Sequence, residues 1–364
     1  MIKVLHVVGA RPNFMKVAPV MRALTAHRGS FLQRLVHTGQ HYEEAMSQVF
    51  FDELEIAPPD ENLEVGSGSH AGQTAQIMIR FEPVLKGFAP DWVMVVGDVN
   101  STMACTLVAA KLGVRVAHVE AGLRSFDRTM PEEINRLVTD ALADLLLTPS
   151  SDADENLRRE GIPPDRIRQV GNVMIDTLSH NLERARARLV HRRLGVQPRR
   201  FIYVTLHRPS NVDGRESLSA IVDCLRDMAK GLPVVFPVHP RTRQRLIDFG
   251  LLDALQSQAG TKLIDPVGYL DSIGLADQAS CVLTDSGGLQ EETTFLQVPC
   301  LTLRPNTERP VTISLGSNRL TTLATLRADL EAAIRRRESG EQLPCPPLWD
   351  GRAAERIAEV LLER

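Results

Sequence analysis

At 364 residues, with 43% hydrophobic and 24% charged residues and a net charge of −3, the chain is too long for one ordinary core, and two domains are expected. That charge gives no basic footprint for nucleic acid, and no apolar run approaches the roughly 20 residues of a membrane span, so neither is expected as a partner. The five cysteines, Cys105, Cys224, Cys281, Cys300 and Cys345, form no C-x-x-C pair and read as buried free thiols in a reducing cytoplasm; the histidines show no close ligand pairing, so no metal site is expected.

The first stretch, MIKVLHVVGARPNF, lacks a small-residue cleavage site and reads as a first strand rather than a signal peptide. Short β-branched runs predict strands at 3–8, 31–37, 92–97, 114–119, 144–148 and 167–170. A second series follows at 201–206, 233–238, 262–265, 280–284 and 299–303. The runs between them, such as STMACTLVAAKLG and ESLSAIVDCLRDMAKG, have helical periodicity and often end in Gly. This alternation predicts an α/β protein with parallel sheets covered by helices on both faces. The Arg-rich segment DTLSHNLERARARLVHRRLGVQPRR separates the two series and reads as a long, solvated surface helix joining domains at 1–171 and 172–349. The tail GRAAERIAEVLLER is amphipathic and fits against either domain.

Open parallel sheets bind ligands beyond the carboxyl ends of their strands. The residues just past the predicted strands are Gly9-Ala10-Arg11, Gly97-Asp98, Glu120, His207-Arg208, His239 and Asp285-Ser286-Gly287-Gly288. They are far more polar than the strands, and both halves contribute, so a site in a cleft between two domains is expected.

Arg11 and Lys16 in GARPNFMK sit where a helix begins, a place that favours anions, though two surface cations at a loop would look the same. In DSGGLQEE, paired glycines let backbone N–H groups approach a phosphate, Ser286 adds a hydroxyl, and Glu292 is placed to accept from ribose hydroxyls. Arg309 in NTERP is a further candidate anion ligand. GSGSHA at 66–71 fits a nucleotide-binding pattern but follows no proper strand, and reads as a loop leading into a helix.

The stretch HVEAGLRSFDRTMPEEINRLVTD carries Glu120, Asp127, Glu132, Glu133 and Asp140. Thr129-Met130-Pro131-Glu132 fits a capping box, with Pro131 in the first helical turn and Glu132 able to pair with Arg136 four residues on. Glu120 has no such structural task; its one local counter-charge is Arg124, and in a two-domain cleft Lys16, Arg136 and His207 are also within reach of it. A carboxylate at a strand's carboxyl end, matched by Asp98 on another strand, is a candidate for acid–base chemistry. His207 and His239 read equally well as ordinary hydrogen-bonded residues.

Taken together, GARPNFMKVAPV, TGQHYEEAMSQVF, VVGDVNST, HVEAGLRS, PEEINR, VGNVMID, VTLHR, PVHP, TDSGGLQEE and TERP resemble, in order and spacing, the non-hydrolysing UDP-N-acetylglucosamine 2-epimerases. The resemblance implies two Rossmann-like, doubly wound domains facing across a cleft (the GT-B-like arrangement), with the C-terminal helix, 350–364, returning to the first. It implies reversible inversion at C2 of UDP-GlcNAc to UDP-ManNAc, by elimination of UDP to 2-acetamidoglucal and re-addition. No NAD or metal cofactor is implied; UDP and the two UDP-sugars are the ligands, and the assembly implied is a homodimer. By the same resemblance Asp98, Glu120, Glu132 and His207 match catalytic positions. Arg11, Lys16, His239, Ser286, Gly287, Gly288, Glu292 and Arg309 match UDP-binding positions, and Arg136 holds either the carboxylates or the diphosphate.

The chain departs from the family pattern in places. Ala10 and Asn13 stand where GTRPE is usual, Pro209-Ser210 replace a charged pair, and Ser272 replaces an aromatic near the uracil. Gln40 and His41 match the region where some bacterial members bind an activating second substrate molecule. The Arg of the usual ERQT is absent, with Gly72 in AGQT, so hyperbolic kinetics in UDP-GlcNAc are expected. The competing expectations are a 2-epimerase of a modified UDP-sugar such as a diacetamido uronic acid, a GT-B-type glycosyltransferase, a silent nucleotide-sugar sensor, and a hydrolysing variant.

Overall fold

The structure is a computed structural model and describes residues 1–39 and 58–364. The chain divides into two compact units, Met1–Ser179 with Pro347–Arg364, and His180–Pro346. Among the described residues no helix is long and apolar enough to cross a membrane.

The first unit holds β1 (Ile2–Val8), β2 (Phe31–His37), β3 (Glu61–Asn62), β4 (Trp92–Val96), β5 (Arg115–Val119), β6 (Leu145–Thr148) and β7 (Ile167–Gln169). They lie in the order β3-β2-β1-β4-β5-β6-β7, with β1 parallel to both β2 and β4, and β5 parallel to β4 and β6. Period-two alternation sends neighbouring side chains to opposite faces. Leu5, Val7, Val93 and Val95 pack with Ile77, Phe81 and Leu85 of the helix His70–Phe88. Val4, Trp92, Met94 and Val96 pack instead with Val20 and Leu24 of the helix Arg11–Ala26 and with Ile357 and Leu361 of the helix Ala353–Leu362. A sheet covered on both faces explains why its central strands read as continuous apolar runs.

The C-terminal helix is tied to the first unit at its start. The Trp349 indole N–H donates to the Pro149 carbonyl at 2.9 Å. Asp176 accepts the first-turn N–H groups of Ala353 and Ala354 at 3.1 and 2.7 Å, using donors that a helix start leaves open. Trp349 is only 4% exposed, so Trp349→Ala is expected to cost about 3–5 kcal/mol in urea unfolding. A cost below about 1 kcal/mol, the size of an ordinary surface change, would show that the tail is anchored elsewhere.

The second unit repeats the pattern with β8 (Ile202–Thr205), β9 (Val234–Pro237), β10 (Thr261–Ile264), β11 (Cys281–Thr284), β12 (Cys300–Leu303) and β13 (Asn318–Thr321). Their order is β10-β9-β8-β11-β12-β13. In each sheet the order reverses once, at β1/β4 and at β8/β11, and at such switch points loops diverge and leave room for a ligand.

Every strand expected from the sequence is present, within one residue at each end. The reading missed β3 and β13. Both are edge strands, and ENL and NRLT lack an apolar run because only one flank is paired. The expected long helix is two pieces. Val173–Ala187 ends, Leu189 turns with φ +48, and a short turn follows at Val190–Arg193. Its arginines are also not a simply solvated face. Arg186 makes a two-pronged contact with Asp277 at 2.9 and 3.1 Å, and Arg188 and Arg193 both reach Asp271. Cys105, Cys281 and Cys300 are buried thiols, whereas Cys224 is partly exposed and Cys345 exposed.

Candidate functional site

In the first unit the polar residues gather at the carboxyl ends of β1, β4 and β5. The backbone there is held in unusual shapes. Gly97, just past β4, has φ +67, and a Cβ on it would come within 2.9 Å of Lys16 Nζ. Glu120, just past β5, has φ +70, a left-handed conformation that costs a non-glycine residue roughly 1–3 kcal/mol and collects at functional sites. Its amide and that of Ala121 both donate to the Leu147 carbonyl. Glu120 forms an ion pair with Lys16, both nearly buried. The helix Arg11–Ala26 brings Lys16 there, and its start is set by Asn13. Asn13 Oδ1 accepts from the N–H groups of Gly9 and Ala10 at 3.1 and 2.9 Å, and its Nδ2 donates to the Val96 carbonyl at 3.0 Å. An ionised Glu at this position would have no hydrogen to give Val96, so the departure from GTRPE has a local reason.

Asp98 follows Gly97 and is one-third exposed; Arg136 Nη1 meets it at 2.5 Å. Arg136 also donates through Nε and Nη2 to Glu133 Oε2, at 3.1 and 2.6 Å. Glu133 in turn accepts from Ser125 N–H and Oγ and from Phe126 N–H at 2.9–3.0 Å. Burial alone would raise the Glu133 carboxyl, but these hydrogen bonds and Arg136 bring it below its ordinary value. Arg136 thus pairs with two carboxylates, Asp98 and Glu133.

Glu133 and Arg136 sit on the helix Pro131–Leu142, which is amphipathic the unusual way round. Its buried side includes Glu133, Asn135, Arg136, Thr139 and Asp140, while Ile134 and Leu142 are exposed. A helix that turns charge inward is spending burial on chemistry or on a polar network.

The capping box read at Thr129 is not formed. The N-cap is Met130, with Pro131 as the first helical residue, and the Thr129 N–H and hydroxyl both donate to Asp127 Oδ1. Nor does Glu132 pair with Arg136. It is exposed, and Glu133, one position on and 100° round the helix, takes that place. Arg124 does not neutralise Glu120 either; it pairs with Asp140 at 2.7 Å and Glu160 at 2.6 Å.

In the second unit the candidates gather past β8, β9 and β11. Asp285 is fully buried and accepts the N–H groups of His207 and Arg208, the Asn211 amide and, at 3.0 Å, the His207 Nδ1. Burial would raise this carboxyl, but His207 and the backbone donors hold it low. Hydrogen bonding through Nδ1 fixes the ring and leaves Nε2 as its outer nitrogen. His239 lies with its ring 5.5 Å from that of His207 and accepts the Arg241 N–H as N-cap of the helix Pro240–Asp248. Burial first, then His207 and Arg241, lower its pKa.

Ser286 is the N-cap of the helix Gly287–Phe295. A Cβ on Gly287 would meet Arg309 Nη1 at 2.7 Å and Glu308 at 2.9 Å, whereas Gly288 faces open space. Arg309 is held by Glu291 at 2.9 Å and Glu308 at 2.6 Å, and Arg304 also reaches Glu308 at 2.8 Å. Glu292 lies one residue beyond Glu291 on the same helix. Burial first, then the neighbouring Glu291 charge, raise its pKa to about 8 against the lowering effect of its hydrogen bond with Tyr269. The folded protein therefore keeps this proton between about pH 4.5 and pH 8, where the unfolded chain has lost it. Stability falls as pH rises through that window. Glu292→Gln should be no more stable than the parent at pH 5 and more stable at pH 9, by roughly 3–5 kcal/mol for the whole shift. Melting curves at pH 5, 7 and 9 check this; a gap that does not grow with pH contradicts it.

Gln40 and His41 lie outside the described residues, as does the side chain of Arg11, whose backbone opens its helix. In the sequence His118, Asp140, Asn13 and Glu308 carry no assigned functional role, and Glu133 only a place that suits the helix dipole. The signal for two of them, Glu133 and Asp140, was the spacing 133, 136, 140, a charged stripe at helical period.

Comparison with known proteins places these features in context. A family model described as UDP-N-acetylglucosamine 2-epimerase matches residues 22–362. The chain is 42% identical over 363 residues to the UDP-N-acetylglucosamine 2-epimerase of Methanocaldococcus jannaschii, covering 98% of this chain and 97% of that one. It is 39% identical over 364 residues to the UDP-2,3-diacetamido-2,3-dideoxy-D-glucuronate 2-epimerase of Pseudomonas aeruginosa, covering 99% of each. The crystal structure of the Methanocaldococcus jannaschii enzyme in complex with UDP-GlcNAc and UDP superposes with a TM-score of 0.88 at 41% identity over the whole of both chains.

Proposed function

This chain belongs to the UDP-N-acetylglucosamine 2-epimerase family, and we propose on that premise that it inverts C2 of UDP-GlcNAc to give UDP-ManNAc by eliminating and re-adding UDP. The C2 hydrogen has no neighbouring ketone to acidify it, so direct removal and return is too slow. In elimination a carboxylate takes the C2 proton, the C1–O bond to the diphosphate breaks with its electron pair leaving on UDP, and C1=C2 forms in 2-acetamidoglucal. UDP then returns to C1 while an acid protonates C2 from the other face. This needs two differently placed acid–base groups and strong stabilisation of the departing diphosphate.

The observation that carries the reading is the pair of carboxylates at the ends of adjacent strands, Asp98 after β4 and Glu120 after β5, each beside its own cation. Asp98 and Glu120 are assigned to proton transfer, with Glu132 and His207 as further catalytic groups. Arg11, Lys16, His239, Ser286, Gly287, Gly288, Glu292 and Arg309 are assigned to UDP. The Pseudomonas aeruginosa relative supports a second reading in which the same machinery takes a diacetamido uronic acid. Incubation with each UDP-sugar, with EDTA and without NAD, distinguishes them by NMR. UDP-ManNAc formed from UDP-GlcNAc supports the first reading. Turnover of the uronic acid alone supports the second, and free ManNAc contradicts both.

A further inference from the structure

His118 and Asp140 are fully buried and belong to no binding position assigned above. The His118 Nδ1 meets Asp140 Oδ1 at 2.6 Å, and its Nε2 meets the Gly97 carbonyl at 2.8 Å. Asp140 Oδ2 accepts the Gly122 N–H at 3.0 Å and pairs with Arg124 at 2.7 Å. Burial would raise the Asp140 carboxyl, but His118 and Arg124 hold it below its ordinary value, so it stays a charged acceptor. The two ends of this network matter. The Gly97 carbonyl belongs to the peptide bond that launches Asp98. Gly122 lies two residues past Glu120, in a left-handed turn where a Cβ would come within 2.5 Å of the Ala153 carbonyl. One buried bridge therefore clamps the backbone at both proton-transfer carboxylates.

We propose that His118 and Asp140 are positioning residues that fix the placement of Asp98 relative to Glu120. This rests on the epimerase reading given above. A reaction that passes a proton between two faces of one carbon depends on the spacing of its two acid–base groups, and a misplacement of about 1 Å can cost roughly 10²-fold in rate. The cost should fall on turnover, since neither residue touches substrate.

The amide isosteres separate the two bonds. Asn at position 118 places its nitrogen near the imidazole Nδ1 and keeps the Asp140 contact; Gln places its nitrogen near Nε2 and keeps the Gly97 contact. In the full-length protein His118→Ala is expected to lower kcat by roughly 10–100-fold. KM and the Kd for UDP, measured calorimetrically, should stay within about two-fold, and His118→Asn and His118→Gln should each recover part of kcat. Asp140→Asn, which keeps the shape and loses the charge, should also lower kcat with KM unchanged, and it serves if His118→Ala does not fold. A folded His118→Ala or Asp140→Asn with parental kcat overturns the proposal, as does a loss that appears in KM and UDP affinity instead. If the parent protein turns over and these variants match it, only the proposal falls; if the parent does not epimerise, the underlying reading falls and the proposal with it.

Discussion

Glu120→Gln is expected to lower turnover by roughly 10²–10⁴-fold, the usual worth of a positioned acid or base, with UDP affinity little changed. The amide keeps the shape of the side chain but takes no proton at neutral pH. The strained left-handed backbone at Glu120 is independent of the substitution, so a loss of rate reports on the carboxylate and not on a rearranged turn. Gln also leaves the buried Lys16 ammonium facing a neutral group, and breaking a buried pair costs about 3–5 kcal/mol. Turnover must therefore be expressed per folded molecule, with the fraction folded taken from a melting curve. A folded Glu120→Gln protein that still turns over would remove Glu120 from the proton-transfer step.

Arg309→Met is expected to destabilise the second unit by about 3–5 kcal/mol at pH 7 and to weaken UDP binding as well. Its guanidinium bridges Glu291 and Glu308, which are nearly buried. Methionine fills comparable space but leaves the carboxylates facing each other, with Arg304 still holding Glu308 alone. Burial by itself would raise the Glu308 carboxyl; Arg309 and Arg304 hold it far below its ordinary range. A depressed folded pKa gives stability that is present above the unfolded pKa and lost as pH falls. The gap between parent and variant should accordingly be full above about pH 4.5, the ordinary value for this carboxyl, and narrow as pH falls below it, because protonated carboxyls no longer need the cation. Urea unfolding at several pH values measures this. A pH-independent gap would mean that Arg309 acts by packing, and full stability with lost UDP binding would assign it to the ligand alone.

Most of the fold was legible because buried parallel strands leave long apolar runs, and the glycines and polar residues that follow them mark the carboxyl ends. Gly97-Asp98, Glu120 and Asp285-Ser286 stand out in the sequence for that reason. What was not legible depended on angle more than on order along the chain. Glu132 and Glu133 are adjacent in sequence, and nothing local says which one faces inward. The helix start at Pro131, one residue later than the capping box implied, turns Glu133 toward Arg136 and leaves Glu132 exposed. Arg124 is near Glu120 in sequence but pairs with Asp140 and Glu160, while Lys16, more than a hundred residues earlier, supplies the cation. His118 looked like one more strand residue. Only the register of β5 beside β4 brings its ring to Gly97.

Deuterium at C2 tests the central claim most directly. UDP-GlcNAc incubated with the protein in D2O, with EDTA and without NAD, is followed by NMR until UDP-ManNAc accumulates. A proton held on a carboxylate exchanges with solvent before it is returned, so the account predicts UDP-ManNAc carrying deuterium at C2. Product with hydrogen retained at C2 would mean that the stereocentre is inverted without a solvent-exchanging acid–base group, and would contradict the roles given to Asp98 and Glu120.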